Sequence, residues 1–134
     1  MSTPENPYIT PPQPVTPENE RLGSTLTHLS WIAIGLISGS TLSAFGFVVP
    51  LVVLLTLGKR GPFIRAHAIA ALNLQISIVI YSLVIVVVGF LTLGFGFVLF
   101  IPLAIVAIIF SILAAVAANR GEYYTYPLTI TFVK

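Results

Sequence analysis

Cysteine and aspartate are absent from the chain, and charge of either sign is scarce. The 134 residues contain no cysteine, no aspartate and four glutamates. Without cysteine the chain has no disulfide, no thiolate metal ligand and no cysteine nucleophile. A Ser-His-Asp triad, paired catalytic carboxylates and an HExxH metal motif are excluded too, since no glutamate lies within an apolar segment. We therefore expect a protein that is not an enzyme and has no cofactor or bound metal.

The shortage of charge predicts an integral membrane protein. Charged residues make up 7% of the chain and hydrophobic residues 57%, whereas a soluble domain is typically about 25% charged. No charged residue lies between Leu22 and Gly58, or between Ala66 and Asn119. These gaps leave room for helices that cross a lipid bilayer. The net charge of +2 follows this arrangement and does not indicate nucleic-acid binding.

The hydrophobic pattern predicts an all-α fold, a four-helix transmembrane bundle formed by residues 21–134. The expected helices are residues 22–39, 44–57, 62–90 and 98–119. The second is about 21 Å long at 1.5 Å per residue, less than the ~30 Å of a hydrocarbon core. The first two helices therefore either cross fully or form a short hairpin. Residues 1–20 hold six prolines and are expected to be a disordered tail.

The basic residues predict the orientation in the membrane. With four crossings, Arg21, the 59–65 loop, Arg120 and Lys134 all lie on one side, and the two opposite loops carry no charge. The positive-inside rule then places both termini in the cytoplasm.

The third helix carries polar side chains within an apolar segment. At 100° per residue, isoleucines, leucines and valines from Ile69 to Leu83 share one arc, which we expect to face lipid. His67, Asn73, Ser77 and Tyr81 fall together on the other side and point into the bundle, with Gln75 flanking them. Arg65 lies near the cytoplasmic entry, where its long side chain can reach water or headgroups. The favoured interpretation is that Asn73 and Gln75 bond across to the first or fourth helix. The alternative is a polar lining for a pore or substrate groove.

Small residues on two other helices predict close packing. The first helix contains the GxxxG element of Gly35 and Gly39 near His28, and the fourth carries Ala104, Ala107 and Ser111 at helical spacing. His28 and His67 would make a poor metal site, because two neutral nitrogens lack a carboxylate or thiolate partner. We expect interface histidines instead.

The C-terminal residues 120–134 form a separate feature. Tyrosines follow the fourth helix, Pro127 stops it, and LTITFV alternates as a strand would. This interfacial, extended tail is predicted to be a cytoplasmic docking element or a surface-bound extension.

Three segments together resemble a known family. LTHLS, FIRAHAIAALNLQISI and NRGEYYTYPLTITFVK resemble the Tic-twenty-like small membrane proteins of bacteria, which are similar to a chloroplast inner-envelope import component. The resemblance covers residues 20–134 and implies a multi-pass protein of the bacterial cell membrane with a link to protein translocation. The chain departs from the pattern of this family at Ala70, Leu74 and Thr125. The resemblance implies that the residues matching the family motif are His28, His67, Asn73, Gln75, Glu122, Tyr126 and Pro127.

Two functions follow from these observations. The first is a non-enzymatic scaffold or accessory subunit in the lipid bilayer, bound to a membrane-protein partner or to itself as a homo-oligomer. The second is a channel or protein-translocation component with a polar lining from the third helix. No small-molecule substrate can be identified from the sequence.

Overall fold

A computed structural model describes residues 18–38, 45–59 and 61–134. Within these residues the chain has four α-helices and no strand, which confirms the all-α part of the predicted fold. The helices are α1 (Glu18–Ile37), α2 (Val48–Thr56), α3 (Pro62–Leu91) and α4 (Phe100–Asn119); 3-10 turns follow α2 (Leu57–Lys59) and precede α4 (Phe95–Leu99). Gly39 and the proline-rich residues 1–17 lie outside the described residues.

Among the described residues, two helical stretches are long and apolar enough to cross a membrane, Pro62–Leu91 and Phe95–Asn119. The apolar stretch Val48–Lys59 is shorter and covers about 18 Å at 1.5 Å per residue. The α1 helix begins four residues before the predicted start, with Glu18 and Glu20 in its first turn. Acidic groups stabilise a helix N-terminus, so this turn can form beyond the apolar segment.

The first half of α3 is the centre of the structure. Side chains from Phe63 to Gln75 are buried almost without interruption, because α1, α2 and the C-terminal segment pack around them. The predicted lipid-facing arc was therefore wrong over this half: Ile69 and Leu72 are only 3% and 4% exposed. Leu83, farther along the same arc, is 61% exposed.

Small residues allow α1 to lie close to its neighbours. A Cβ at Gly23 would stand 2.9 Å from the Cδ1 atom of Ile64 on α3. On α4, the buried side chains are alanines and Ser111, and the Thr25 hydroxyl of α1 reaches the Ala115 carbonyl at 3.4 Å. The predicted small-residue face of α4 is thus used inside the chain.

The connection from α3 to α4 is a tight apolar turn. Gly94 has a φ of 101°, a left-handed conformation that glycine adopts without strain. Gly96 lies against α3, where an added Cβ would be 2.8 Å from the backbone nitrogen of Gly89. The Gly96 amide donates to the Thr92 hydroxyl at 2.7 Å.

Candidate functional site

The polar residues meet in the interior, around two histidines from different helices. His28 Nε2 of α1 lies 2.7 Å from His67 Nδ1 of α3. His67 Nε2 is 2.9 Å from the Glu122 carbonyl oxygen, and the Tyr126 hydroxyl is 2.6 Å from His28 Nδ1. Both histidines are 1% exposed. The structure thus brings together four residues named from the sequence, two of them from the C-terminal segment.

The chain of hydrogen bonds continues to α4 and back to α1. Ser111 on α4 is hydrogen-bonded to the Tyr126 hydroxyl, and Trp31 Nε1 of α1 donates to Ser111 Oγ at 2.8 Å. We call this set, Trp31, Ser111, Tyr126, His28, His67 and the Glu122 carbonyl, the polar chain. It ties α1, α3, α4 and the C-terminal segment together.

The Glu122 carbonyl fixes the positions of the other protons when both imidazoles are neutral. A carbonyl can only accept, so His67 Nε2 carries hydrogen. A neutral His67 then has no hydrogen on Nδ1, which accepts from His28 Nε2–H. A neutral His28 in turn accepts at Nδ1 from the Tyr126 hydroxyl, so both rings carry hydrogen on Nε2 in this state.

Aromatic rings enclose the histidine pair. Phe63 lies edge-on to His67 with ring centroids 4.6 Å apart, and the Tyr123 ring is parallel to His67 at 6.3 Å. Burial raises the pKa of the Tyr126 phenol above its ordinary value. The surroundings therefore favour neutral forms of the groups they contain.

A second set of polar side chains holds the end of the chain. Asn73 Nδ2 donates to the Val133 carbonyl at 2.9 Å, and Asn73 Oδ1 accepts from the amides of Phe132 at 3.0 Å and Val133 at 2.8 Å. Ser77 Oγ accepts from the Ile130 amide at 2.9 Å. The Tyr81 hydroxyl donates to the Leu128 carbonyl at 2.5 Å.

The C-terminal segment therefore folds back along α3. Its contacts run from Tyr81 to Asn73 as the chain runs from Leu128 to Val133, so it is antiparallel to α3. The sequence predicted that Asn73 bonds to α1 or α4. Its partners are instead the backbone groups of Phe132 and Val133 in the C-terminal segment. An extended backbone offers donors and acceptors at a spacing that polar residues four apart on one helix face can match.

The remaining predicted residues are scattered. Gln75 is buried and lines a cavity of about 410 Å³ with Trp31, Ser82 and Ala107. Arg65 is exposed at the start of α3, and Pro127 is exposed at the turn before Leu128. Gly35 is half-buried, Ala104 is exposed, and Ala107 and Ser111 are buried.

Sequence reasoning missed Trp31, Phe63 and Tyr123. Trp31 is the only tryptophan in the chain and follows His28 by three residues on α1. A buried indole N–H usually has a hydrogen-bond partner. The single tryptophan of an apolar helix could therefore have been predicted to bond to a polar group on a neighbouring helix. The described residues contain no group of three or more His, Cys, Asp or Glu side chains that could hold a metal ion.

Fold and site together define a small helical membrane protein whose polar side chains bond to one another and to its own C-terminal segment. The model of the magnetosome magnetite crystal formation protein family, MamF/MmsF, matches residues 19–133, and the chain belongs to this family. Searches of curated proteins and of solved structures returned no match.

The family match corrects the resemblance drawn from the sequence. MamF/MmsF and the Tic-twenty-like proteins are different families, so the implied link to protein translocation loses its support. The short segments quoted for that resemblance contain the histidines, Asn73 and Tyr126. In this structure those residues serve internal hydrogen bonds, which do not specify a role in translocation.

Proposed function

We propose that this protein is a non-enzymatic scaffold or accessory subunit of the magnetosome membrane. It would contribute to magnetite crystal formation by binding other membrane proteins or copies of itself. The observation that carries the proposal is that four polar side chains of α3 are hydrogen-bonded within the chain: those of His67, Asn73, Ser77 and Tyr81. Family membership supports the membrane and the process.

The hydrogen bonds of Asn73 argue against a passage along α3. Its side-chain oxygen accepts two backbone amides and its nitrogen donates to a third backbone group. The C-terminal segment thus covers the face that would line a pore. A channel would require this segment to leave, which would expose backbone N–H and C=O groups to the hydrocarbon at a cost of several kcal/mol each.

The polar chain is poorly suited to catalysis. It contains two imidazoles, a phenol, a serine hydroxyl and an indole, and four of the contacts between these groups and the Glu122 carbonyl measure 2.6–2.9 Å. The only acidic residue in it is Glu122, which takes part through its backbone carbonyl. General acid–base work needs a group that can reach a substrate, whereas the ionisable side chains of the polar chain, His28, His67 and Tyr126, are buried and hydrogen-bonded.

The charges support an orientation with the polar end toward the cytoplasm. Lys59, Arg65 and Arg120 are exposed near the start of α3 and the end of α4, which lie at the same end because these helices are antiparallel neighbours. Under the positive-inside rule this end faces the cytoplasm. The turn between α3 and α4 then faces the opposite side of the membrane.

Purification from magnetosome membranes tests the proposal. A tagged chain is extracted in mild detergent, its native mass is measured, and co-purifying proteins are quantified against an untagged strain. We expect a reproducible partner or a defined homo-oligomer, and altered magnetite crystals in cells that lack the protein. A monomer without a partner, in cells whose crystals are unchanged without it, would refute the proposal.

Two alanines on α4 provide a matched pair of variants. Ala104 is exposed and Ala114 is 0% exposed. Small residues on exposed faces permit close helix contacts in membranes, so Ala104→Ile is expected to weaken association and leave thermal stability unchanged. Ala114 packs in a buried cluster with Leu74 and Tyr126, so Ala114→Ile should overfill the interior and lower stability.

A further inference from the structure

The polar chain has a property that does not depend on the proposed function: its hydrogen bonds all run in one direction. The indole N–H of Trp31 can only donate, and the Glu122 carbonyl at the other end can only accept. Between them, Tyr126 donates to His28, and His28 donates to His67. Each residue between the two ends can both donate and accept.

The capacity of the two histidines for additional protons follows from this geometry. The imidazoles have four ring nitrogens, of which both Nε2 atoms carry hydrogen in the neutral state. A proton can be added at His28 Nδ1 if the Tyr126 hydroxyl turns away and accepts from it. A second added proton would place Nε2–H of His28 against Nδ1–H of His67 at 2.7 Å, which is repulsive.

We propose that His28 and His67 bind one proton as a unit, and that binding reverses the hydrogen bonds between His28 and Ser111. The proton adds to His28 Nδ1, which then donates to the Tyr126 oxygen. The Tyr126 hydroxyl turns to donate to Ser111 Oγ, and Ser111 turns its own hydrogen away. The positive charge is shared across the His28–His67 contact, since moving the bridging hydrogen from Nε2 to Nδ1 only exchanges which ring is charged.

Two titratable side chains have rings that pack against the pair, Tyr126 and Tyr123. The Tyr126 hydroxyl bonds to it directly, at His28 Nδ1. The charged and titratable residues nearest to it along each packed element are Glu20 and Arg21 on α1, Lys59 after α2, Arg65 on α3, Arg120 at the end of α4, and Glu122 and Tyr124 in the C-terminal segment. Lys59, Arg65 and Arg120 are exposed and solvated.

Nitrogen NMR on the intact protein tests the proposal without a mutation. The chain has two histidines, so labelling them with ¹⁵N in lipid nanodiscs gives four ring signals. At neutral pH we expect both Nε2 atoms to carry hydrogen. On acidification the pair should take up one proton, which appears at His28 Nδ1, while the fold is retained.

Two results would overturn the proposal. One is the uptake of two protons, one on each ring, by the folded protein. The other is the absence of any uptake until the protein unfolds, as judged by circular dichroism on the same sample.

A pair of tyrosine variants tests the role given to the phenol. In Tyr126→Phe, the charged pair loses an acceptor, so proton affinity should fall by about tenfold or more. Tyr124→Phe is the control, because this ring packs on Tyr126 at 5.1 Å without joining the polar chain. Equal proton affinities in Tyr126→Phe and Tyr124→Phe would contradict the assignment, and loss of folding in Tyr126→Phe leaves the wild-type NMR result decisive.

Discussion

Replacing Asn73 by leucine should release the end of the chain and leave the helices folded. The amide side chain makes three hydrogen bonds to the backbone of Phe132 and Val133. Leucine is similar in size and cannot make any of them. The C-terminal segment would then have to leave backbone groups unpaired or detach from α3.

The magnitude can be worked out from these bonds. A protein hydrogen bond contributes about 0.5–1.5 kcal/mol net, so three contribute about 3 kcal/mol if they add. A difference of this size changes the equilibrium between attached and detached segment by about 100-fold. The bonds from Ser77 and Tyr81 remain, but they hold only Ile130 and Leu128.

Hydrogen exchange measured by mass spectrometry in nanodiscs is the assay. In Asn73→Leu, amides of residues 129–134 should exchange about 100-fold faster, whereas peptides from α1 and α4 should not change. Gln75→Leu is the matched control, because Gln75 is buried on the same helix but lines the cavity beside Trp31. Unchanged exchange at the C-terminal amides of Asn73→Leu, or equal acceleration in both variants, would refute the reasoning.

Three other predictions concern stability in detergent, measured by thermal unfolding. Gly96→Ala should lower the free energy of unfolding by about 1–3 kcal/mol, because the added Cβ overpacks against the α3 backbone. Gly58→Ala is the control and should be tolerated, since the nearest atom would be 3.4 Å from its Cβ. Similar unfolding temperatures for the two variants would contradict this prediction. Trp31→Phe should lower the free energy of unfolding by about 1 kcal/mol or more, because it removes the donor to buried Ser111. An unchanged unfolding temperature would show that the hydrogen bond between α1 and α4 does not stabilise the fold. Burial raises the pKa of Tyr126, so the protein should lose stability as pH rises above about 10. Above that pH the Tyr126 phenol ionises in the unfolded chain and stays neutral in the folded one. Absorbance from a Tyr126 phenolate in the folded protein at that pH would contradict this prediction.

The sequence predicted the helices well because they depend on local information. The third helix was expected at residues 62–90 and is found at Pro62–Leu91, since a proline marks its start and glycines follow its end. The second was expected from residue 44 and begins at Val48. A continuous apolar run does not mark where a helix starts, so the predicted boundary lies four residues before the observed one.

The contacts of the site depended on tertiary structure. His28 and His67 are 39 positions apart, and nothing in their spacing predicts that their rings meet. The polar face of α3 was recognised from its period, but its partner was sought on the other helices. The alternation in LTITFV predicted an extended tail that needs a pairing partner. It could not show that the side chains of Asn73 and Ser77 would bond to the backbone of this segment.

The central claim is that Asn73, Ser77 and Tyr81 of α3 hold the C-terminal segment and do not line a passage. Ion and proton flux into liposomes, measured at high protein load with wild-type protein and with Asn73→Leu, tests it most directly. We predict flux equal to that of protein-free liposomes for the wild type. Flux through the wild-type protein that Asn73→Leu abolishes or changes would contradict the account and establish a channel.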